Sequence, residues 1–224
     1  MITRLKCLKE NKRKKMKKYF FTLIFLWAIG LLNAQNTDVV AYEKPLPHIS
    51  KKGIVKTNDG KTFKIEGFND AETTVFFLVR HAEKDTAGGT NADLNNVGRG
   101  RAAILPKILK KVTLSGVYST DKPRTRNTAA PVAKAKRLSV EIYDAKKQAE
   151  LAKTLTDKGR GKRYFIVGHS NTIPQLAVQL SLRGTKQSAG DEKPTADLPD
   201  SEYSFLYIVS VKKMGEAKVE VIRY

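Results

Sequence analysis

Val75-Phe76-Phe77-Leu78-Val79-Arg80-His81-Ala82-Glu83 is the stretch whose reading decides the fold. Five apolar residues run without polar alternation, which is the pattern of a strand buried on both faces in a parallel sheet. The run then delivers an arginine and a histidine together. Open α/β sheets place their ligand sites at the carboxyl ends of such strands. A second apolar run, Tyr164-Phe165-Ile166-Val167, ends in Gly168-His169-Ser170-Asn171. Two strand ends that each carry a histidine, one beside an arginine, predict a pocket for an anionic group and a nucleophile to attack it.

Working outward, strands alternate with helical patterns. A Gly-rich loop over 86–91 leads to a helix over about 96–111, which Pro106 kinks or shortens. A strand over 114–119 precedes a helix over 123–137 with proline at its first turn, where a missing N–H matters little. A strand over 140–143 ends at Asp144, a plausible N-cap for a helix over 145–158. After the strand at 164–167 come a helix over 172–182 and a polar loop over 183–201. Strands over 203–212 and 216–224 then form an antiparallel edge. Upstream, 53–67 alternates around Asn58-Asp59-Gly60, a hairpin signal. The expected fold is α/β: a three-layer α/β/α arrangement with a mostly parallel central sheet and helices on both faces. The expected domain is 53–224, with the hairpin at 53–67 and the core at 73–224.

The chain has 224 residues and a formal charge of +20, and its 41% hydrophobic content is that of a globular protein. Residues 1–18 are strongly basic, 19–32 (YFFTLIFLWAIGLL) almost wholly apolar, and Asn33-Ala34-Gln35 ends the run with a small residue. This is the order of a secretory signal peptide, 1–34, with cleavage expected after Ala34. The apolar run of about 14 residues falls short of the roughly 20 that span a bilayer. The expectation is an exported protein, periplasmic or secreted, with 35–52 as a leader or linker and no stable membrane anchor after cleavage. Residues 1–34 hold nine Lys/Arg and one Glu, so their loss lowers +20 by 8 to +12. That excess still attracts anionic substrates. Lysines such as Lys107, Lys134, Lys136 and Lys153 are dispersed rather than striped with aromatics, so no nucleic-acid partner is expected. The single cysteine, Cys7, leaves with the signal, and the mature chain forms no disulfide.

No metal signature is present: His48, His81 and His169 show neither H-x-x-x-H spacing nor a cysteine neighbour. No Walker or dinucleotide fingerprint appears, and no cofactor is expected.

Four ordered segments carry a resemblance. They are Arg80-His81-Ala82-Glu83; Leu94-Asn95-Asn96-Val97-Gly98 with Arg101-Ala102; Ser119-Thr120-Asp121 with Arg124-Thr125 and Thr128-Ala129; and Gly168-His169-Ser170-Asn171. In these the chain resembles the histidine phosphatase superfamily, also called the phosphoglycerate mutase-like family, over about 73–182. The resemblance implies a phosphohistidine mechanism without metal. His81 is then the nucleophile, and Arg80, Arg124 and His169 complete the phosphate pocket. Guanidinium groups match phosphate oxygens and stay charged, and they stabilise the charge spread over the transferring group. Neutral imidazole is a good nucleophile.

The general acid is open at this stage. Many relatives place a Glu after the third strand, where this chain has Val140-Glu141-Ile142-Tyr143-Asp144. Asp144 at that strand's end and Glu83 beside the histidine are both candidates, and Asp144 is equally a helix N-cap. Ala82 stands where the family usually has glycine. Three functions compete: an exported phosphomonoesterase, a phosphohistidine or other protein phosphatase, and a non-catalytic phosphate-binding envelope protein. The partner is accordingly a phosphorylated small molecule or protein. The export signal argues against a glycolytic mutase, and 143–164 leaves little room for the lid insertions of one.

Overall fold

The computed structural model describes residues 45–183, 197–212 and 216–224. The expected signal peptide, most of the leader, much of the 183–201 loop and the Met214-Gly215 turn lie outside the described residues.

A six-stranded sheet has the order β6-β5-β7-β4-β8-β9. Its strands are β4 (Thr73–Arg80), β5 (Gly116–Ser119), β6 (Val140–Ile142), β7 (Arg163–Gly168), β8 (Phe205–Lys212) and β9 (Glu216–Arg223). The strands β6, β5, β7 and β4 run parallel, and β8 and β9 add an antiparallel edge. Every residue of β4 is buried. The period of two then sorts its side chains. Val75, Phe77 and Val79 enter one core with Ile104 and Leu105 of α1 (Asn96–Ile108) and Val132 of α2 (Pro123–Lys136). Phe76 and Leu78 enter the other, with Leu155 of α3 (Gln148–Lys158) and Leu176 of α4 (Thr172–Leu182). An apolar run with no alternation is thus the sequence of a strand with a helical layer on each side. The three-layer α/β/α expectation holds.

A small antiparallel sheet, β1 (His48–Ile49), β2 (Ile54–Lys56) and β3 (Thr62–Lys64), packs on the α1 side. The expected hairpin is β2–β3. The expected leader runs to 52, but His48–Ile49 already pairs with β2, and Ile49 is buried in the core. A two-residue strand is too short to show any period.

Local chemistry shifts several boundaries. Asp144 does cap a helical turn, accepting a hydrogen bond from Lys146 N–H at 2.9 Å. That turn, Ala145–Lys147, is 3-10, and Lys147 leaves helical geometry before α3 begins. The Gly-rich loop is also 3-10, Thr86–Asn91, with Asp85 accepting from Ala87 N–H. Helix α1 contains Pro106 and ends two residues beyond it. Lys136 is not a plain surface lysine. Its ammonium donates to the carbonyls of Leu109 and Val112 at 2.7 and 2.6 Å, closing the exit of α1. Among the described residues, no helix is long and apolar enough to cross a membrane.

The start of α1 braces the loop after β4. Asn95 N–H donates to Glu83 C=O at 3.0 Å, and Asn95 Oδ1 accepts from Gly98 N–H at 2.8 Å. A Cβ at Gly98 would collide with the Glu83 backbone, whereas one at Gly100 would meet nothing within 4 Å. Gly98→Ala is therefore expected to destabilise by about 1–3 kcal/mol, because backbone displacement outweighs the gain in helix propensity. Gly100→Ala is expected to stabilise by about 0.5–1 kcal/mol. Urea unfolding of the two variants beside the parent checks the pair.

Candidate active site

Three adjacent parallel strands end side by side. Arg80 of β4 pairs with Gly168 of β7, and Ser119 of β5 pairs with Val167 of β7. The next backbone bonds carry the alignment past the strands: His81 N–H to Gly168 C=O at 2.9 Å, and Thr120 N–H to Val167 C=O at 3.4 Å. The sheet register therefore brings His81 and His169 together, with ring centroids 5.5 Å apart and planes crossed at 70°. One tetrahedral oxyanion is large enough to touch both rings.

His81 is only 3% exposed. Its Nδ1 lies 2.8 Å from the Ala82 carbonyl, so Nδ1 carries the proton and donates. Nε2 is left with its lone pair. Burial, then the charges of Arg124 and Arg80, push its pKa down to about 3, against the opposing pull of the Ala82 carbonyl. Burial, then Arg124 and Lys122, push His169 down to about 4. Both rings are neutral at pH 7, which is the state a nitrogen nucleophile needs. The Thr120 hydroxyl lies 2.9 Å from His169 Nε2 and 3.1 Å from the Thr125 hydroxyl, which fixes the second ring.

Arg80 and Arg124 supply the cationic wall. Arg124 follows Pro123 in the first turn of α2, and its Nη1 donates to Thr90 C=O at 2.9 Å. Burial, then Arg80, lower its pKa, while Tyr203 acts in the opposite sense. Arg80 is almost fully buried and gives its Nη1 to three carbonyls of residues 199–202. The Nε atoms of both arginines are buried and have no partner among the described residues. A buried charged donor without an acceptor is costly, and an anion in the pocket answers it.

Each of the two acid candidates already has a hydrogen-bond partner. Glu83 is clamped by Arg101, whose Nε and Nη2 reach Glu83 Oε1 at 2.8 and 2.7 Å. Arg101 also reaches Tyr224 C=O, so this pair ties the loop to the last strand region. Asp144 spends its carboxylate on the 3-10 turn. Arg126 pairs with Asp121 at the surface, and His48 lies on β1.

Three contributors carried no role in the sequence. Thr128 Oγ1 accepts from Ala82 N–H at 3.0 Å and donates to Arg124 C=O at 2.7 Å, joining the His81 loop to α2. Its place in the Thr128-Ala129 segment was the available signal. Lys122 adds a third positive charge near His169. Tyr203 lays its ring over the Arg80 guanidinium at 4.2 Å, and no local pattern foretells it. Among the described residues, no group of three or more His, Cys, Asp or Glu is arranged to hold a metal ion.

A family model described as histidine phosphatase superfamily (branch 1) matches residues 76–145. That span holds the first three motif segments, and His169 lies outside it. Curated proteins gave no match. Among solved structures, the chain is similar to a mycobacterial glucosyl-3-phosphoglycerate phosphatase at 13% identity, covering 67% of this chain and 99% of that one, with TM-score 0.50. It is also similar to a phosphoserine phosphatase from Entamoeba histolytica, solved with 3-phosphoglyceric acid, at 15% identity, 67% and 97% coverage and TM-score 0.51. At such identities the likeness establishes the fold. The family match bears out the resemblance to the histidine phosphatase superfamily over residues 76–145.

The lowered histidines make stability depend on pH with a defined sign. In the unfolded chain each ring takes up a proton near 6.5, but in the folded chain only near 3 and 4. Unfolding therefore binds protons in that window, and stability falls as pH drops below about 6.5. The urea midpoint is expected to decrease between pH 7 and pH 5, and His81→Gln is expected to make that decrease shallower.

Proposed function

We propose that the chain is an exported phosphatase that hydrolyses phosphomonoesters through a phosphohistidine on His81. The observation that carries this reading is a neutral, buried imidazole with a free Nε2, set 5.5 Å from a second histidine and walled by two arginines with unanswered Nε donors. The His81 Nε2 lone pair attacks phosphorus, and the ester P–O bond breaks. The leaving oxygen takes a proton from an acid or from water. Water then attacks phosphorus, the P–N bond breaks, and inorganic phosphate leaves as His81 returns to neutral. The proton on Nδ1, held by the Ala82 carbonyl, keeps Nε2 as the attacking atom throughout. Arg80, Arg124 and His169 bind the phosphoryl oxygens as charge spreads over them. The scheme uses no metal. The signal-like sequence at 1–34 supports export.

A second reading concerns the substrate. Among the described residues, Glu83 is held by Arg101 and Asp144 caps a 3-10 turn, so both acid candidates already have partners. That favours leaving groups which depart without strong assistance, such as the imidazole of a phosphohistidine protein or a phenol.

The parent protein is expected to release phosphate from an aryl phosphate and to retain label on His81 in alkali-quenched samples, the label being lost on acidification. His81→Ala is expected to lose the label and to slow turnover by on the order of 10³-fold or more. A folded parent that neither labels nor releases phosphate from any aryl, sugar or histidine phosphate would overturn the proposal.

Asp144→Ala separates cap from acid. As a cap alone, its loss is expected to destabilise by about 0.5–2 kcal/mol with kcat little changed. A fall in kcat toward alkyl phosphates of about 10²–10⁴-fold would instead mark Asp144 as the acid.

A further inference from the structure

We propose that Tyr203 is a positioning residue for Arg80, acting with the backbone carbonyls of 199–202, and that this strap determines which edge of the guanidinium faces the phosphate pocket. The inference rests on the reading of Arg80 as a phosphate-pocket residue. Arginine has a long, rotamer-rich side chain, so a central strand fixes its Cα but not its five donors. Here Nη1 is directed at Pro199 C=O at 2.8 Å, Glu202 C=O at 3.0 Å and Asp200 C=O at 3.3 Å. The Tyr203 ring covers the guanidinium face at 4.2 Å and stands 6.0 Å from the His81 ring. Nε remains buried without a partner.

The strap is anchored independently of Arg80. Leu198 N–H donates to Ser170 C=O at 3.0 Å, directly after His169. At the other end Ser204 N–H and Oγ–H donate to Glu202 Oε1 at 2.8 and 2.6 Å, while Arg223 Nη1 donates to Glu202 Oε2 at 2.9 Å. The charge on Arg80 is thus held by carbonyl dipoles and a π face rather than by a buried carboxylate. Among the described residues the one carboxylate paired with it, that of Asp200, is fully exposed and 3.4 Å away, a pairing that water screens. Held in this way, Arg80 keeps its positive charge for a dianion while the strap dictates its orientation.

The experiment follows the Arg80 Nε–H resonance in full-length protein labelled with 15N-arginine, assigned with Arg80→Lys, alongside inorganic phosphate binding. Tyr203→Ala and Tyr203→Leu are both expected to speed Nε–H exchange and to weaken phosphate binding by about thirtyfold, the factor a desolvated cation–π contact corresponds to. With an aryl phosphate, KM is expected to rise more than kcat falls. Tyr203→Phe keeps the ring face and Asp200→Asn keeps the carbonyls, so both are expected to stay within about twofold of the parent. Unchanged Nε–H exchange in either folded variant, Ala or Leu, overturns the proposal, as does a Tyr203→Phe protein as impaired as Tyr203→Ala. A parent that hydrolyses no phosphomonoester refutes the phosphatase reading alone, because the exchange rates still decide the role of Tyr203.

Discussion

The hydrogen bond from His81 N–H to Gly168 C=O is the constraint on which the site depends. It continues the β4–β7 ladder one step beyond the strands, so the separation of the two histidines is set by sheet register rather than by loop conformation. Backbone pairing in a central parallel sheet is among the stiffest references a protein offers, and a one-residue slip would exchange the two cores. The apolar residues that bury β4 on both faces are therefore also the residues that hold the histidine rings in opposition. Packing and chemistry share one cause here.

Burial then does for the imidazole of His81 what an adjacent base does for other side chains. An imidazole in water near neutral pH is partly protonated. Enclosure together with two guanidinium groups keeps His81 neutral. The same enclosure leaves the Nε donors of Arg80 and Arg124 without acceptors among the described residues, and the summed charge there favours anions. A dianion entering it would meet cations already desolvated and already oriented, which is the condition under which electrostatic stabilisation is greatest.

How much of this was legible in the sequence depended on how local each cause is. The runs at 75–79 and 164–167 and the helix Thr172–Leu182 were readable because burial on both faces or on one stripe writes itself into consecutive residues. The pairing of Arg80-His81 with Gly168-His169 followed from the strand-end rule. Asp144 and Glu83 were readable as carboxylates near the right strand ends but not as to their use. One is taken by a 3-10 turn and the other by Arg101, and which partner captures a carboxylate is a matter of tertiary geometry. The two-residue β1 has no period to detect. Tyr203 and the carbonyls around Arg80 lie about 120 residues away in sequence and contribute backbone and a ring face, neither of which leaves a motif.

By taking the Ala82 amide hydrogen and giving its own to the Arg124 carbonyl, the Thr128 hydroxyl makes the loop bearing His81 and the helix bearing Arg124 a single rigid part. Motion of either would have to shear both bonds at once. Removing that hydroxyl would leave the His81 ring and the Arg124 guanidinium to shift independently.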